Sequence, residues 1–389
     1  MRKDYLFTPG PTPIPPAVAA ALARPIIHHR TPGYRALFSQ VTSDLKTVFQ
    51  TKHPLFTFTA SGTGAMESAV VNLLSPDDGA IVVNSGKFGE RWLKLCQRYG
   101  VQVVECSVPY GQTVDPETIR EALHGNRSTP KHTTPKRITA VFTTLCETST
   151  GVVHDIRAIG ELVHASDAVL VVDAISGLGA DELKTDAWHC DVVIAGSQKG
   201  LMLPPGLAFV SVSPKAWKVT EHVRTPRYYF DWHAYQRALA EEDTPFTPAI
   251  GLVVALAEAL RLLQAEGWAH VLERHARLAK ATREAVTALG LQLFAERPSN
   301  AVTAICVPTG VEGKKIVSRL RDVYGVTIAG GQGELDGKII RLAHLGYMER
   351  FDALVAIAAL EMVLGELGFP IARGKGVAEA ERHLIEGHA

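Results

Sequence analysis

What this 389-residue chain lacks narrows the field before any motif does. Forty basic residues face forty acidic ones, for a formal net charge of zero, so no global field gathers nucleic acid or an anionic membrane surface. No stretch approaches the roughly 20 uninterrupted apolar residues a membrane helix needs. The opening residues, Met1-Arg2-Lys3-Asp4-Tyr5, lack the apolar core of a secretory leader. The five cysteines (Cys96, Cys106, Cys146, Cys190, Cys306) include no C-x-x-C pair, which argues against a disulfide framework or a zinc site and for reduced core thiols in a cytoplasmic protein. No H-x-x-x-H pair suggests another metal. Internal repeats and low-complexity tracts are missing too.

What remains is a chain with 46% hydrophobic residues, long enough for a large core and two domains acting on small molecules. Residues 9–16, Pro-Gly-Pro-Thr-Pro-Ile-Pro-Pro, cannot continue a helix or a central strand, because proline removes donors and forces its neighbours to extend. An ordered arm or loop over 1–20 is expected. From about 55 to 265, short apolar runs (Leu55–Thr59, Ala80–Val83, Val101–Cys106, Ile138–Thr143, Ala168–Val172, Val192–Ala195, Ala208–Val212) alternate with helical patterns. That alternation predicts an α/β domain over 21–265 with a mostly parallel seven-stranded sheet. Helical spacing continues over Leu252–Leu263 and Trp268–Leu289, with Gly267 as a hinge. A small α+β domain over 266–389 follows, with strands at Val302–Val307, Val326–Ala329 and Lys338–Ala343 and helices at Val311–Tyr324 and Arg350–Leu367. The stretch after Ile371 reads as either a peripheral helix or a frayed tail.

The chemistry concentrates at two strand ends. Val171-Val172-Asp173 closes one apolar run, and Gly196-Ser197-Gln198-Lys199 follows another. Parallel sheets bind ligands beyond the carboxyl ends of their strands. A carboxylate and a lysine there are what pyridoxal phosphate (PLP) chemistry requires: one keeps the pyridine nitrogen protonated, and the other carries the aldehyde and moves protons. Singly, each has a plain alternative as a strand-end residue or a turn cap. Ser61-Gly62-Thr63-Gly64 precedes a helical pattern over Ala65–Leu74, so it reads as an anion site at a helix N-terminus or as an ordinary capped turn. It is not a nucleotide P-loop, since G-x-x-x-x-G-K-[ST] is absent. In Gly86-Lys87-Phe88-Gly89 the ring could stack on a ligand or fill the core. The hydroxyls of Glu147-Thr148-Ser149-Thr150-Gly151 could bond a cofactor oxygen or serve a turn. His28-His29-Arg30 lines a substrate entrance or forms a solvated turn.

Taken in order, these motifs, with Pro9-Gly10-Pro11 before them and Lys338-Ile339-Ile340-Arg341-Leu342-Ala343 after them, resemble the class V aminotransferases of PLP fold type I. The alanine–glyoxylate and serine–pyruvate branch is the nearest in pattern. The resemblance implies that Lys199 carries the cofactor aldehyde and Asp173 pairs with the pyridine nitrogen. It implies that Ser61, Gly62, Thr63 and Gln198 hold the phosphate, that Thr148 lies by the ring hydroxyl and that Phe88 stacks on the ring. Arg341 would clamp the substrate α-carboxylate, as a bidentate fork suits, with Gly10 on the substrate side. Thr247, and with it Thr244, would reach the phosphate of a partner subunit in an obligate homodimer. Two positions depart from the pattern: Phe88 stands where the branch often has tryptophan, and Thr63 where it often has histidine.

The function this implies is amino transfer from a small donor, alanine or serine, to glyoxylate or pyruvate. The alternatives are a cysteine desulfurase or other class V enzyme, a transaminase using aspartate or an aminophosphonate, and a PLP binder without turnover. A desulfurase needs a mobile loop cysteine, whereas Cys306 falls within a strand-like run. A mere binder would show erosion of Lys199, Asp173 or Arg341, and all three are present. A dicarboxylate donor needs a second cation, for which Arg30, Arg35 and Arg227 are the candidates.

Overall fold

The computed structural model describes residues 2–125 and 137–385. In chain order its strands are β1 (Tyr5–Phe7), β2 (Leu55–Ala60), β3 (Gly79–Asn84), β4 (Gln102–Ser107), β5 (Ile138–Thr144), the two-residue β6 (Cys146–Glu147) and β7 (Val152–Val153), then β8 (Val169–Asp173), β9 (Val192–Gly196), β10 (Gly206–Val212), β11 (Val302–Cys306), β12 (Val326–Gly330) and β13 (Ile339–Ala343). All seven expected strands form one sheet, in the order β2-β10-β9-β8-β5-β3-β4. Neighbours from β9 to β4 run parallel, while β10 runs antiparallel to both β9 and β2.

Both faces of this sheet are covered, which is why β8 and β9 are apolar without alternation and buried at every position. Successive residues nevertheless serve opposite faces. Val141, Val172 and Val193 pack with Leu45, Phe49, Ile159 and Leu256 from helices Pro32–Phe49, Ile156–His164 and Ile250–Glu266. Phe142, Val171 and Ile194 pack with Met66, Val70 and Trp92 from helices Gly62–Leu73 and Lys87–Arg98. Trp92 is fully buried, and truncating such a side chain to alanine costs about 3–5 kcal/mol.

The second sheet has the order β1-β12-β13-β11. Its β1 comes from the extreme N-terminus and pairs in parallel with Val326–Ile328, so the first residues are a strand of the C-terminal unit. The proline-rich stretch then runs without regular structure to Pro16, which opens helix Pro16–Leu22 in its first turn, where a missing N–H is tolerated. Helices Ile250–Glu266 and Trp268–Ala288 meet at Gly267, whose φ of 87° suits glycine. The stretch after Ile371 is a docked helix, Lys375–Ile385, whose Ala380 and Leu384 join the hydrophobic core that also holds Ile340, Leu342 and Leu360. Buried Glu361 holds its start by accepting from the N–H groups of Gly374, Gly376 and Val377 at 2.6, 2.7 and 3.2 Å. Among the described residues no helix is long and apolar enough to cross a membrane.

Candidate active site

Strands β2, β3, β5, β8 and β9 end on one edge of the large sheet, and each delivers one of the motifs there. After β2 the helix begins at Gly62, three residues earlier than expected, so Thr63 and Gly64 lie inside its first turn; Gly64 N donates to Ser61 O at 2.8 Å, and the N–H groups of Gly62 and Thr63 have no partner among the described residues. Ser61 is the N-cap residue in an extended conformation, but its hydroxyl makes no capping bond. A Cβ on Gly62 would overlap the Ile175 side chain, so the helix packs tightly against the loop that follows Asp173.

After β3, helix Lys87–Arg98 presents Phe88 in its first turn. Its start is held from another element. The buried Glu147 carboxylate accepts from Phe88 N and Gly89 N, both at 3.0 Å, through one oxygen, and from Ser149 N at 3.1 Å and Ser149 Oγ at 2.6 Å through the other. A negative charge at a helix N-terminus is favourable. Burial pushes the Glu147 pKa up, and those four donors pull it back. Next to it, Thr148 Oγ1 donates to Ser176 Oγ at 2.6 Å.

Asp173 is the last residue of β8 and is buried. One of its carboxylate oxygens accepts from Ile175 N at 2.8 Å, and the carboxylate makes no other hydrogen bond among the described residues. Burial raises its pKa from 3.8 to about 7. Lys199 sits three residues beyond β9, and its Nζ donates to Pro9 O. Burial lowers its pKa from 10.5 to about 8, with the charges of Arg341 and Arg91 adding to the effect. Gly10 lies flat along this lysine: its φ is 129°, and any Cβ there would overlap the Lys199 side chain. The N-terminal segment thus forms one wall of the crevice. The buried Oε1 of Gln198 finds no partner among the described residues.

The four-stranded sheet contributes Arg341 from the middle of β13, between Ala304 and Ala329 of its neighbours. It is 4% exposed. Its Nε donates to Gly330 O at 2.9 Å and its Nη1 to Thr148 O at 2.8 Å. No carboxylate pairs with it among the described residues, and burial lowers its pKa to about 10. A buried guanidinium without a counter-ion can receive an anion.

Not every expected residue joins this crevice. Thr244 Oγ1 donates to Phe246 O at 2.7 Å, and Thr247 is exposed. Arg35 pairs with Asp243 at 3.3 Å, Arg227 bonds the carbonyls of Val223 and Thr225 and lies 3.5 Å from Asp231, and Arg30 and His28 are exposed on a loop. Cys306 is a half-buried strand residue paired with Ile339, away from any loop tip. One residue of the site escaped sequence reasoning. Arg91 donates from Nη1 to Thr63 Oγ1 at 3.0 Å, and its guanidinium carbon lies 4.9 Å from the centre of the Phe88 ring. Its spacing of three from Phe88, on a helix that starts at Lys87, was the available signal.

The sequence model of the family "Aminotransferase class-V" matches residues 4–335. The chain belongs to the class V aminotransferases. Among its curated relatives, the soluble hydrogenase 42 kDa subunit of Anabaena cylindrica is 44% identical over 98% of both chains. The L-aspartate–glyoxylate aminotransferase of Paracoccus denitrificans is 38% identical over 98% of this chain and 96% of its own. The solved structure of alanine–glyoxylate aminotransferase from Nostoc sp. superimposes with a TM-score of 0.88 at 31% identity, over 94% of this chain and 96% of that one. The protein is a PLP-dependent transaminase of fold type I. Its crevice suits that cofactor on three independent counts: a buried carboxylate with an oxygen left unbonded at Asp173, an orphaned acceptor at Gln198, and a helix start whose Gly62 and Thr63 N–H groups have no partner among the described residues.

Proposed function

We propose that Lys199 carries the PLP aldehyde, that Asp173 keeps its ring nitrogen protonated, and that Ser61, Gly62, Thr63 and Gln198 hold the phosphate, with Phe88 and Thr148 bounding the ring. When bound, the cofactor supplies an electron sink for the charge that develops at the substrate α-carbon as its proton leaves. The chain's own work is to bind, orient and move protons. Lys199 Nζ, with its pKa brought near neutrality, can take that proton and return it elsewhere on the substrate–cofactor frame. Thr148 O and Gly330 O fix the Arg341 fork so that its free Nη2 edge meets a carboxylate.

Arg341 carries the substrate reading. It is a buried guanidinium with no carboxylate paired to it among the described residues, while the three other arginines considered are bonded elsewhere or exposed. One clamp suits a monocarboxylate, so the donors are alanine or serine and the acceptors glyoxylate or pyruvate. The Paracoccus relative acts on aspartate by name, which makes the discrimination worth measuring. Steady-state kcat/KM for alanine, serine, aspartate and glutamate, each with glyoxylate, decides it. A tenfold preference for a dicarboxylate, about 1.4 kcal/mol, overturns the reading. Borohydride reduction followed by peptide mapping should place a pyridoxyl group on Lys199, and label on another lysine refutes that assignment. Among the described residues no three His, Cys, Asp or Glu side chains come together as a metal site.

We further propose a homodimer in which Thr247, and with it Thr244, reaches the partner's phosphate site. Thr247 is exposed beside Phe246, whose ring lies 5.6 Å from that of Tyr228, a side chain 82% exposed. Such an aromatic patch suits burial against a second copy. Sedimentation of the purified protein tests the dimer. Mixed dimers of Lys199→Ala and Thr247→Ala subunits, regaining one intact site, test the sharing. Free, mostly buried cysteines suit a reducing compartment, and we place the enzyme in the cytoplasm.

A further inference from the structure

Arg91 stands where the two departures from the family pattern meet. It donates to the hydroxyl of Thr63 and lies over the ring of Phe88. No carboxylate pairs with it among the described residues. The adjacent Glu90 is taken by Lys87 at 2.8 Å, Tyr110 at 2.5 Å and Lys94 at 3.6 Å. A half-buried arginine that bonds a hydroxyl and lies over an aromatic face, with no carboxylate paired to it among the described residues, is not explained as an ion pair.

We infer that Arg91 completes the phosphate cradle as a positioning residue, acting through Thr63. The inference rests on the proposed assignment of Ser61–Thr63 to the phosphate. A hydroxyl that accepts from a guanidinium keeps its own proton free to donate, so the Arg91 bond orients Thr63 as a donor toward an anion. Thr63 lies in the first turn of helix Gly62–Leu73, where unpaired N–H groups point the same way. The positive charge of Arg91 acts on the same spot, and it reaches both Asp173 and Lys199. Its flat face against Phe88 also braces that ring. In this chain a threonine and an arginine thus do jointly what one longer polar side chain at position 63 could do alone.

The test separates phosphate recognition from everything else by comparing PLP with pyridoxal, which lacks the phosphate, in a Lys199→Ala background where no covalent capture occurs. Dissociation constants come from equilibrium dialysis against the cofactor-free protein. Arg91→Gln should weaken PLP about tenfold or more, the scale of one charge-assisted hydrogen bond, and leave pyridoxal within about twofold. Thr63→Val should weaken PLP as well, and the double variant should be no worse than the poorer single one, because the two act as a unit. An unchanged PLP-to-pyridoxal ratio in a folded Arg91→Gln protein overturns the inference. If that variant does not fold, Arg91→Lys, which keeps the charge and loses the fork, must still lower the ratio at least threefold, and no change there overturns it equally. A parent protein that does not prefer PLP to pyridoxal refutes the cradle itself, and Arg91 falls with it.

Discussion

Asp173, the last residue of β8 in the large sheet, and Glu147, in the short β6 just beyond β5, are both buried carboxylates, yet the fold provides for them differently. Glu147 has four donors on its two oxygens. Asp173 has one. A buried polar group left short of partners costs free energy, so a fold keeps one only where something else completes it. Glu147 is complete without a ligand and its work is to hold the start of helix Lys87–Arg98. Asp173 is incomplete, and burial with so little compensation raises its pKa to about 7. The same contrast separates Glu361, with three backbone donors at the start of the last helix, from Arg341, which has no counter-ion.

If that contrast is right, the largest effect belongs to Asp173. Asp173→Asn should lower kcat about a hundred- to a thousandfold, the scale for removing a preorganised charge at a reacting centre, while the unfolding midpoint of the cofactor-free protein holds or rises. Loss of stability together with retained turnover would reverse the roles of the two carboxylates. Arg341→Ala comes next. Removing one partner of a buried charge pair costs about 2 kcal/mol or more, so KM for both amino and keto acid should rise roughly thirtyfold or more, with PLP affinity little changed. Glu147→Gln should do the opposite of Asp173→Asn. Its amide N–H group must face a donor, leaving a buried clash worth about 1–3 kcal/mol of stability, which denaturant unfolding reads, while kcat falls less than tenfold. A catalytic loss exceeding the Asp173 variant's would show that Glu147 acts on the chemistry and not through the helix.

Most of the large sheet and its motifs were legible because each strand is a short apolar run and each functional residue follows one directly, as Asp173 follows Val169–Val172. The parts that were not legible share a physical cause: their partners are far away in sequence. Tyr5–Phe7 pairs with a strand some 320 residues on, so no turn or local pattern announces it. Arg91 looks like any helix-surface arginine until Thr63, from another helix, is set against it. The docking of Lys375–Ile385 depends on a glutamate in the preceding helix that reads in sequence as a solvated charge. Glycine roles divide likewise. Gly62 belongs to a motif, whereas the need for a bare backbone at Gly10 appears only once Lys199 lies across it.

The smallest predicted effect is a pH dependence that separates the two unusual ionisations. Capture of PLP by the cofactor-free protein needs a neutral amine at Lys199. Because burial brings that pKa down to about 8, the neutral fraction grows tenfold per pH unit below 8 and levels off above it; an ordinary lysine would still be climbing at pH 10. Asp173 titrates near 7 by the opposite shift, and its ionised form is the one that attracts a protonated pyridine. Both deprotonations therefore favour capture as pH rises, the carboxylate first and the amine second. Stopped-flow absorbance from pH 6 to 10 should show a rate that climbs more steeply than tenfold per unit below about 7, at about tenfold between 7 and 8, and flattens beyond. In Asp173→Asn the steep lower limb should vanish and the break near 8 should remain. A break near 10 in either protein would mean that the amine is not desolvated as the crevice implies, and a lower limb unchanged in the variant would assign that ionisation to a group other than Asp173.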